Sequence, residues 1–288
     1  MHLQQQTSGL KPASKSILKD AMDNSSVGLR SVDCSPFGSP HVIVGTSNCG
    51  VHLVAGSEHK PLIYSHAAHA YACAWNPKYQ HQYVTSSKEG VLCLWNAELR
   101  QIIAKCALSP RTPARSLCFS PDGRHLAVGC GDNSLKVLLA DCAGDPPLSR
   151  HVFSASVAAE PLSVVRYAPN GHFLVTGSHD NTIDLFACQS NDGYTHIRRC
   201  FGHSSYITHI DWASDSSCFM SNCGAYEMLF WNPRTGKRLQ KNQRDTRMAE
   251  WTCSLGFPVM GIFPDFSDGM IQLYRAFLCL LGTPEYHS

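Results

Sequence analysis

Histidine beside a carboxylate makes a natural general acid–base pair, and His179-Asp180 is such a pair, with Gly202-His203 supplying a second histidine in a short loop-like string. His66, His69 and Cys73 form an H-x2-H-x3-C string, a spacing that raises the question of a metal. Cys200 follows Arg198 and Arg199, and neighbouring cations lower a thiol pKa. Arg234, Lys237, Arg238, Lys241, Arg244 and Arg247 put six positive charges into fourteen residues, offset by Asp245. Catalysis needs an assembled site, and no third partner accompanies either histidine. Zinc sites draw ligands in tight pairs from two places, and no second cluster accompanies His66, His69 and Cys73. Neither a Walker loop nor a Gly-x-Ser-x-Gly elbow nor a dinucleotide fingerprint is present. The residues therefore predict no catalytic, cofactor or metal site. The six cations remain as the candidate partner-binding strip, attractive to acidic segments of another protein.

The bulk numbers narrow the class of partner. The chain has 288 residues, 43% hydrophobic and 16% charged, which suits a packed globular chain. A net charge of +2 and a pI near 7.9 argue against general nucleic-acid binding. No apolar run approaches the ~18 residues of a membrane span; the longest, 276–282, is too short, so no membrane role is expected. Fourteen cysteines occur without one Cys-x-x-Cys pair, and Cys73, Cys93, Cys118 and Cys130 sit in apolar runs as small hydrophobes do. That usage predicts free thiols in a reducing, intracellular compartment.

The elements that must position these residues repeat. An apolar strand, a small-residue triplet, a turn and a second apolar strand recur as VIVGTSNCGVHLV, YVTSSKEGVLCLW, LAVGCGDNSLKVLL, LVTGSHDNTIDLF and FMSNCGAYEMLFW. Their centres are Gly45, Ser86, Gly129, Gly177 and Asn222, separated by 41, 43, 48 and 45 residues. This is the period of a WD repeat, ~40–45 residues. Three residues past each centre stand Asn48, Glu89, Asp132, Asp180 and Ala225; nine past stand Val54, Trp95, Leu138, Phe186 and Trp231. Ten or eleven residues before each centre stand Cys34, Trp75, Phe119, Tyr167 and Trp212, several opening turns such as FSPDG and YAPNG. A short side chain at the turn accepts backbone N–H groups, Pro-Asp-Gly and Pro-Asn-Gly provide fixed or positive φ, and the large residue nine positions on fills the space between blades. Trp95, Asp132, Asp180, His203, Trp212 and Trp231 are thus expected as structural repeat positions. The prediction is an all-β WD-repeat β-propeller over 26–269, five blades with the start of a sixth at 248–263 and an incomplete ring, in which each triplet lies on the second strand of its blade. Residues 1–25 are polar and expected to lack regular structure. Residues 270–288 form a divergent tail with the apolar spacing of a short amphipathic helix.

Over 161–269 the strings PLSVVRYAPNGHFLVTGSHDNTIDLF, GHSSYITHIDWASDSSCFMSNCGAYEMLFWNP and EWTCSLGFPVMGIFPDFSDG resemble the last propeller of the echinoderm microtubule-associated-protein-like family. Residues 28–160 fit the same propeller at generic WD-repeat specificity. The resemblance implies a non-catalytic, cytoplasmic, cytoskeleton-associated interaction module with tubulin as partner; the alternative is a WD-repeat scaffold for another protein complex. The chain departs from the family at Ala225, where a GDYE-like turn has Asp, and after 267–269, where the tail does not read as a closing blade.

Overall fold

The computed structural model describes residues 29–34, 41–46, 51–55, 58–63, 66, 69–109, 112–140, 147–189, 192–241, 243–250 and 252–256. The expectations for 1–25 and 270–288 lie outside the described residues. The chain divides into two compact units, 1–67 and 68–288. Among the described residues every regular element is a strand.

The first unit holds one blade, β1 (Leu29–Cys34), β2 (His41–Thr46), β3 (Val51–Ala55) and β4 (Glu58–Ile63), antiparallel in chain order. The second unit holds three further four-stranded blades. They are β5 (Ala70–Trp75) to β6 (Gln82–Ser87), β7 (Val91–Asn96) and β8 (Gln101–Ala107); β9 (Ala114–Phe119) to β10 (His125–Cys130), β11 (Ser134–Leu139) and β12 (His151–Ser156); and β13 (Leu162–Tyr167) to β14 (Phe173–Ser178), β15 (Ile183–Cys188) and β16 (Tyr194–Cys200). A fifth blade has β17 (Ile207–Trp212), β18 (Phe219–Cys223) and β19 (Met228–Trp231), with its fourth position reduced to one bridge between Trp231 and Arg238.

The repeat columns become rows of the sheets. Each triplet centre lies on its blade's second strand. In each blade the turn-opening residue, a second-strand residue and the residue nine past the centre stand opposite one another: Cys34–Val42–Val54, Trp75–Tyr83–Trp95, Phe119–Leu126–Leu138, Tyr167–Leu174–Phe186 and Trp212–Phe219–Trp231. Cross-strand pairs are the unit of sheet stabilisation, and two rows are aromatic ladders. Trp75, Tyr83 and Trp95 stack at 5.5 and 6.0 Å, and Phe219 lies 5.1 Å from Trp212 and 6.4 Å from Trp231. Hairpin geometry repeats with the same regularity. Gly90, Asn133, Asn181 and Tyr226, each four past a centre, have φ of 76°, 66°, 67° and 60°; Gly123, Gly171 and Ser216 take φ of 71°, 73° and 59° in the preceding turn. Gly and Asn tolerate this region, whereas a bulky residue there is strained.

Blades of the second unit are joined by apolar clusters. One binds the β5–β8 and β9–β12 blades through Val84, Leu94, Leu117 and Leu126. Another joins the next pair through Ala127, Leu135, Leu162 and Phe186, and a third joins the last pair through Val175, Leu185, Ile210 and Trp231. Small triplet centres allow this approach. A Cβ on Gly177 would stand 2.5 Å from Ile207 Cγ2 and 2.7 Å from Val164 Cγ1, and one on Gly129 would stand 2.8 Å from Val165 Cγ2. Ser86, at the same position, donates to the Ala114 carbonyl of the next inner strand at 2.8 Å, and Asn222 Oδ1 accepts Leu255 N at 3.1 Å. Residues 252–256 thus occupy the place that β9, β13 and β17 hold against their preceding blades. They are held there by buried Asp211, whose carboxylate accepts Thr252 N at 2.7 Å, Cys253 N at 2.8 Å and the Thr252 hydroxyl. The segment runs as turns rather than a strand; the ladder partner of an inner strand is the strand that follows it, and 257–263 lie outside the described residues.

Ten of the described cysteines, all in the second unit, are free. Cys93 and Cys130 are buried as small hydrophobes and Cys118 is half-buried, but Cys73 is exposed. Strand alternation exposes Cys73 rather than burying it: Ala72 and Ala74 turn to the core cluster, which leaves Cys73 on the opposite face.

The close approach at Gly177 yields a direct test. Gly177→Ala should lower unfolding stability by roughly 1–3 kcal/mol, the usual cost of overpacking, measured by urea denaturation. Adding Ile207→Ala should give a double mutant less destabilised than the sum of the two single changes.

Candidate functional site

Blade five concentrates the polar chemistry. Trp231, on β19, donates Nε1–H to Ser221 Oγ of β18 at 2.7 Å, and His203 Nε2 lies 2.6 Å from the same hydroxyl. On its other side His203 Nδ1 lies 3.3 Å from Glu227 Oε2, which also accepts Ser204 N at 2.8 Å and the Cys223 thiol at 3.2 Å. The chain Trp231–Ser221–His203–Glu227 ties a loop to two strands with almost every donor satisfied. Glu227 answers the departure noted at Ala225: the expected carboxylate is missing there and is supplied two residues later. Sequence spacing missed it, because the third-residue column leads to Ala225; the glutamate of the GAYE string was the available signal. Backbone donation from Ser204 leads the effects that hold the Glu227 carboxyl down at about 2, and burial holds His203 below the usual histidine range.

The other blades carry fragments of this chain. Trp95 Nε1 donates to Thr85 Oγ1 at 2.7 Å in blade two. In blade four Phe186 replaces the tryptophan, and the buried Thr176 hydroxyl has no hydrogen-bond partner. Asp180 accepts Ala159 N at 2.8 Å, Thr182 N at 3.1 Å and the Thr182 hydroxyl at 2.6 Å. Asp132 caps the Ser134 turn in blade three. Trp212 is buried, and its Nε1 reaches the Arg166 carbonyl at 3.4 Å.

The sequence-level candidates for chemistry disperse. Asp180 spends its oxygens on Ala159 N and its own turn, whereas His179 faces Arg115 at 3.4 Å and packs on Tyr206. His69 and Cys73 are both exposed, and they do not fall in the group of potential metal ligands found among the described residues. Cys200 is buried, and desolvation raises its thiol to about 11, the opposite of a reactive thiolate.

The basic strip is a surface feature. Arg234, Lys237, Arg238, Lys241, Arg244 and Arg247 are all exposed. The first three ride on the β19 hairpin, where Asn232 Oδ1 accepts Arg234 N at 2.9 Å and Thr235 N at 3.2 Å and Gly236 takes φ of 64°. The missing side chain at Gly236 admits a seventh cation: a Cβ there would meet Arg198 Cδ at 2.6 Å, so exposed Arg198 of β16 lies along the same hairpin. Only the packing of this hairpin against the neighbouring blade brings Arg198 beside residues nearly forty positions away.

Rows in register, a turn carboxylate and a Trp–Ser–His chain define a WD-repeat β-propeller, here with five blades and the start of a sixth. Residues 70–272 match the family model described as the echinoderm microtubule-associated protein second beta-propeller. The chain is 36% identical over 241 residues to human echinoderm microtubule-associated protein-like 3, covering 81% of this chain and 25% of that protein. It is 37% identical to mouse echinoderm microtubule-associated protein-like 2 (78% and 34%) and 35% identical to human echinoderm microtubule-associated protein-like 4 (79% and 22%). The chain belongs to the echinoderm microtubule-associated-protein-like family and spans between about a fifth and a third of the length of these relatives.

The lowered Glu227 pKa sets a pH test. A carboxyl depressed in the folded state contributes stability above its unfolded pKa and loses it as pH falls towards the folded value. Glu227→Gln should therefore unfold at lower denaturant than wild type at pH 7, with the gap closing between about pH 4.5 and pH 2.

Proposed function

We propose that this chain is a non-catalytic interaction module that binds microtubules, with the cation strip of blade five as its contact and a cytoplasmic, cytoskeleton-associated location. The observation that carries the reading is the exposure of Arg234, Lys237, Arg238, Lys241, Arg244 and Arg247 on one hairpin and the segment after it, within a propeller whose relatives are named microtubule-associated. Acidic, extended tails on a filament match such a strip, because complementary charge speeds encounter and fixes orientation. The non-catalytic reading is supported by the fate of the histidines: His203 is built into the hydrogen bonds of its blade, and the carboxylate next to His179, that of Asp180, is taken up by Ala159 N and Thr182.

Co-sedimentation with polymerised tubulin tests this. The chain should pellet with microtubules, and pelleting should fall when subtilisin removes the acidic tails. It should also fall as salt rises, since the Debye length shrinks from ~10 Å at 0.1 M to ~3 Å at 1 M. Replacing Arg234, Lys237, Arg238 and Lys241 by Ala should weaken binding roughly tenfold, from exposed contacts worth ~0.2–1 kcal/mol each. Absence of pelleting at every salt concentration would instead favour a scaffold for another protein complex.

A further inference from the structure

The carboxylate end of the blade-five chain is more than a hydrogen-bond anchor. His203, Cys223 and Glu227 turn one nitrogen, one sulfur and one oxygen towards a common point, with the three atoms within 4.8 Å of one another. No other group of three such residues occurs among the described residues. We propose that His203 Nδ1, Cys223 Sγ and Glu227 Oε2 form a zinc site, with solvent as the fourth ligand.

The spacing suits a tetrahedral ion. Bond lengths of about 2.3 Å to sulfur and about 2.0–2.2 Å to nitrogen and oxygen give tetrahedral edges of about 3.3 Å for N···O and about 3.5 Å for S···O. The corresponding separations are 3.3 Å from His203 to Glu227 and 3.2 Å from Cys223 to Glu227. A soft sulfur and an imidazole beside a single carboxylate select zinc over calcium or magnesium, which prefer shells of oxygen.

The surroundings already orient the ligands. Ser221 Oγ, fixed by Trp231, stands 2.6 Å from His203 Nε2 and can accept its proton, which leaves Nδ1 free to bind metal. Ser204 N holds Glu227 Oε2 at 2.8 Å. Cys223 ends β18 and Glu227 immediately precedes β19, so one hairpin sets the sulfur and the oxygen together, while His203 arrives from the loop after β16. Glu227 keeps 35% of its side chain exposed, so metal and a water ligand have a path in. Binding displaces the thiol proton to solvent and moves the imidazole proton from Nδ1 to Nε2.

The other blades show why blade five is different. The residue one past each centre is Thr46, Ser87, Cys130, Ser178 or Cys223. Cys130 alone among the first four is a thiol, and it is buried with its sulfur 3.9 Å from the Val128 carbonyl. In blade five the loss of a carboxylate at Ala225 coincides with Glu227 and Cys223 closing on one histidine.

Cobalt(II), which reports thiolate ligation by its charge-transfer absorbance, is the probe, titrated into the full chain under non-thiol reducing conditions. The expected result is a thiolate-to-cobalt band that saturates at one equivalent and is bleached by zinc. Cys223→Ser should abolish the band, whereas Cys73→Ser, at an exposed cysteine, should leave it intact. Glu227→Gln, which keeps both other ligands, should weaken cobalt binding at least tenfold. The proposal is overturned by absence of the band at tenfold excess, by its survival in Cys223→Ser, or by unchanged affinity in Glu227→Gln. If Cys223→Ser does not fold, the Glu227→Gln affinity decides alone.

Discussion

Everything in the second unit depends on how closely the second strand of one blade meets the inner strand of the next. Gly129 and Gly177 leave no room for a Cβ against Val165 and Ile207. Where the centre carries a side chain, the contact is polar: Ser86 reaches the Ala114 carbonyl, and Asn222 reaches Leu255 N. A packed interior has no slack to absorb an extra methyl. The same small position therefore recurs in each repeat while the residues around it vary. The apolar clusters form across this approach, each drawing side chains from two neighbouring blades. A blade in this arrangement buries its faces only against its neighbours, as repeat architectures do.

The polar interior follows a different economy. A buried hydroxyl or imidazole must be hydrogen-bonded or its desolvation goes uncompensated. Blade five satisfies this with Trp231, Ser221, His203 and Glu227 in series. Blade three abandons it, with Val128 and Leu138 where blade five has Ser221 and Trp231. Blade four is caught between, since Phe186 offers Thr176 no donor or acceptor. Asp211 does similar work at the end of the described chain. Its carboxylate sits in the interior, pushed up by burial, and draws Thr252 and Cys253 into the next inner-strand position. Arg166 of β13 and Glu250 form an ion pair at 3.1 Å beside it, so the segment after blade five is anchored by charge as well as by hydrogen bonds.

The repeat columns are consumed by folding, and the cations proposed as the partner contact lie on the surface. The cation strip stands on the hairpin that follows β19 and on the segment after it, where no further strand of the blade covers it and lysine and arginine remain in water. Gly236 adds Arg198 to that surface by keeping the hairpin close to β16. The WD-repeat class and the family of this chain are consistent with a protein whose chemistry is recognition.

Much of this was legible in the one-dimensional pattern. The spacing of Gly45, Ser86, Gly129, Gly177 and Asn222 determined the number of blades, the strand that carries each triplet and the row in which Trp95, Phe186 and Trp231 stand, because strand alternation and turn length are local properties. Asp132, Asp180 and the Pro-Asn-Gly turns were readable for the same reason. Which residues meet across the blade was decided only by the tertiary structure. The substitution of Glu227 for the carboxylate missing at Ala225, the convergence of Cys223 on His203, the exposure of Cys73 and the arrival of Arg198 beside Gly236 all follow from how strands and loops pack in space. Sequence distance carries no record of such contacts: a side chain's partner is set by which face its strand presents and by what the neighbouring strand places opposite it.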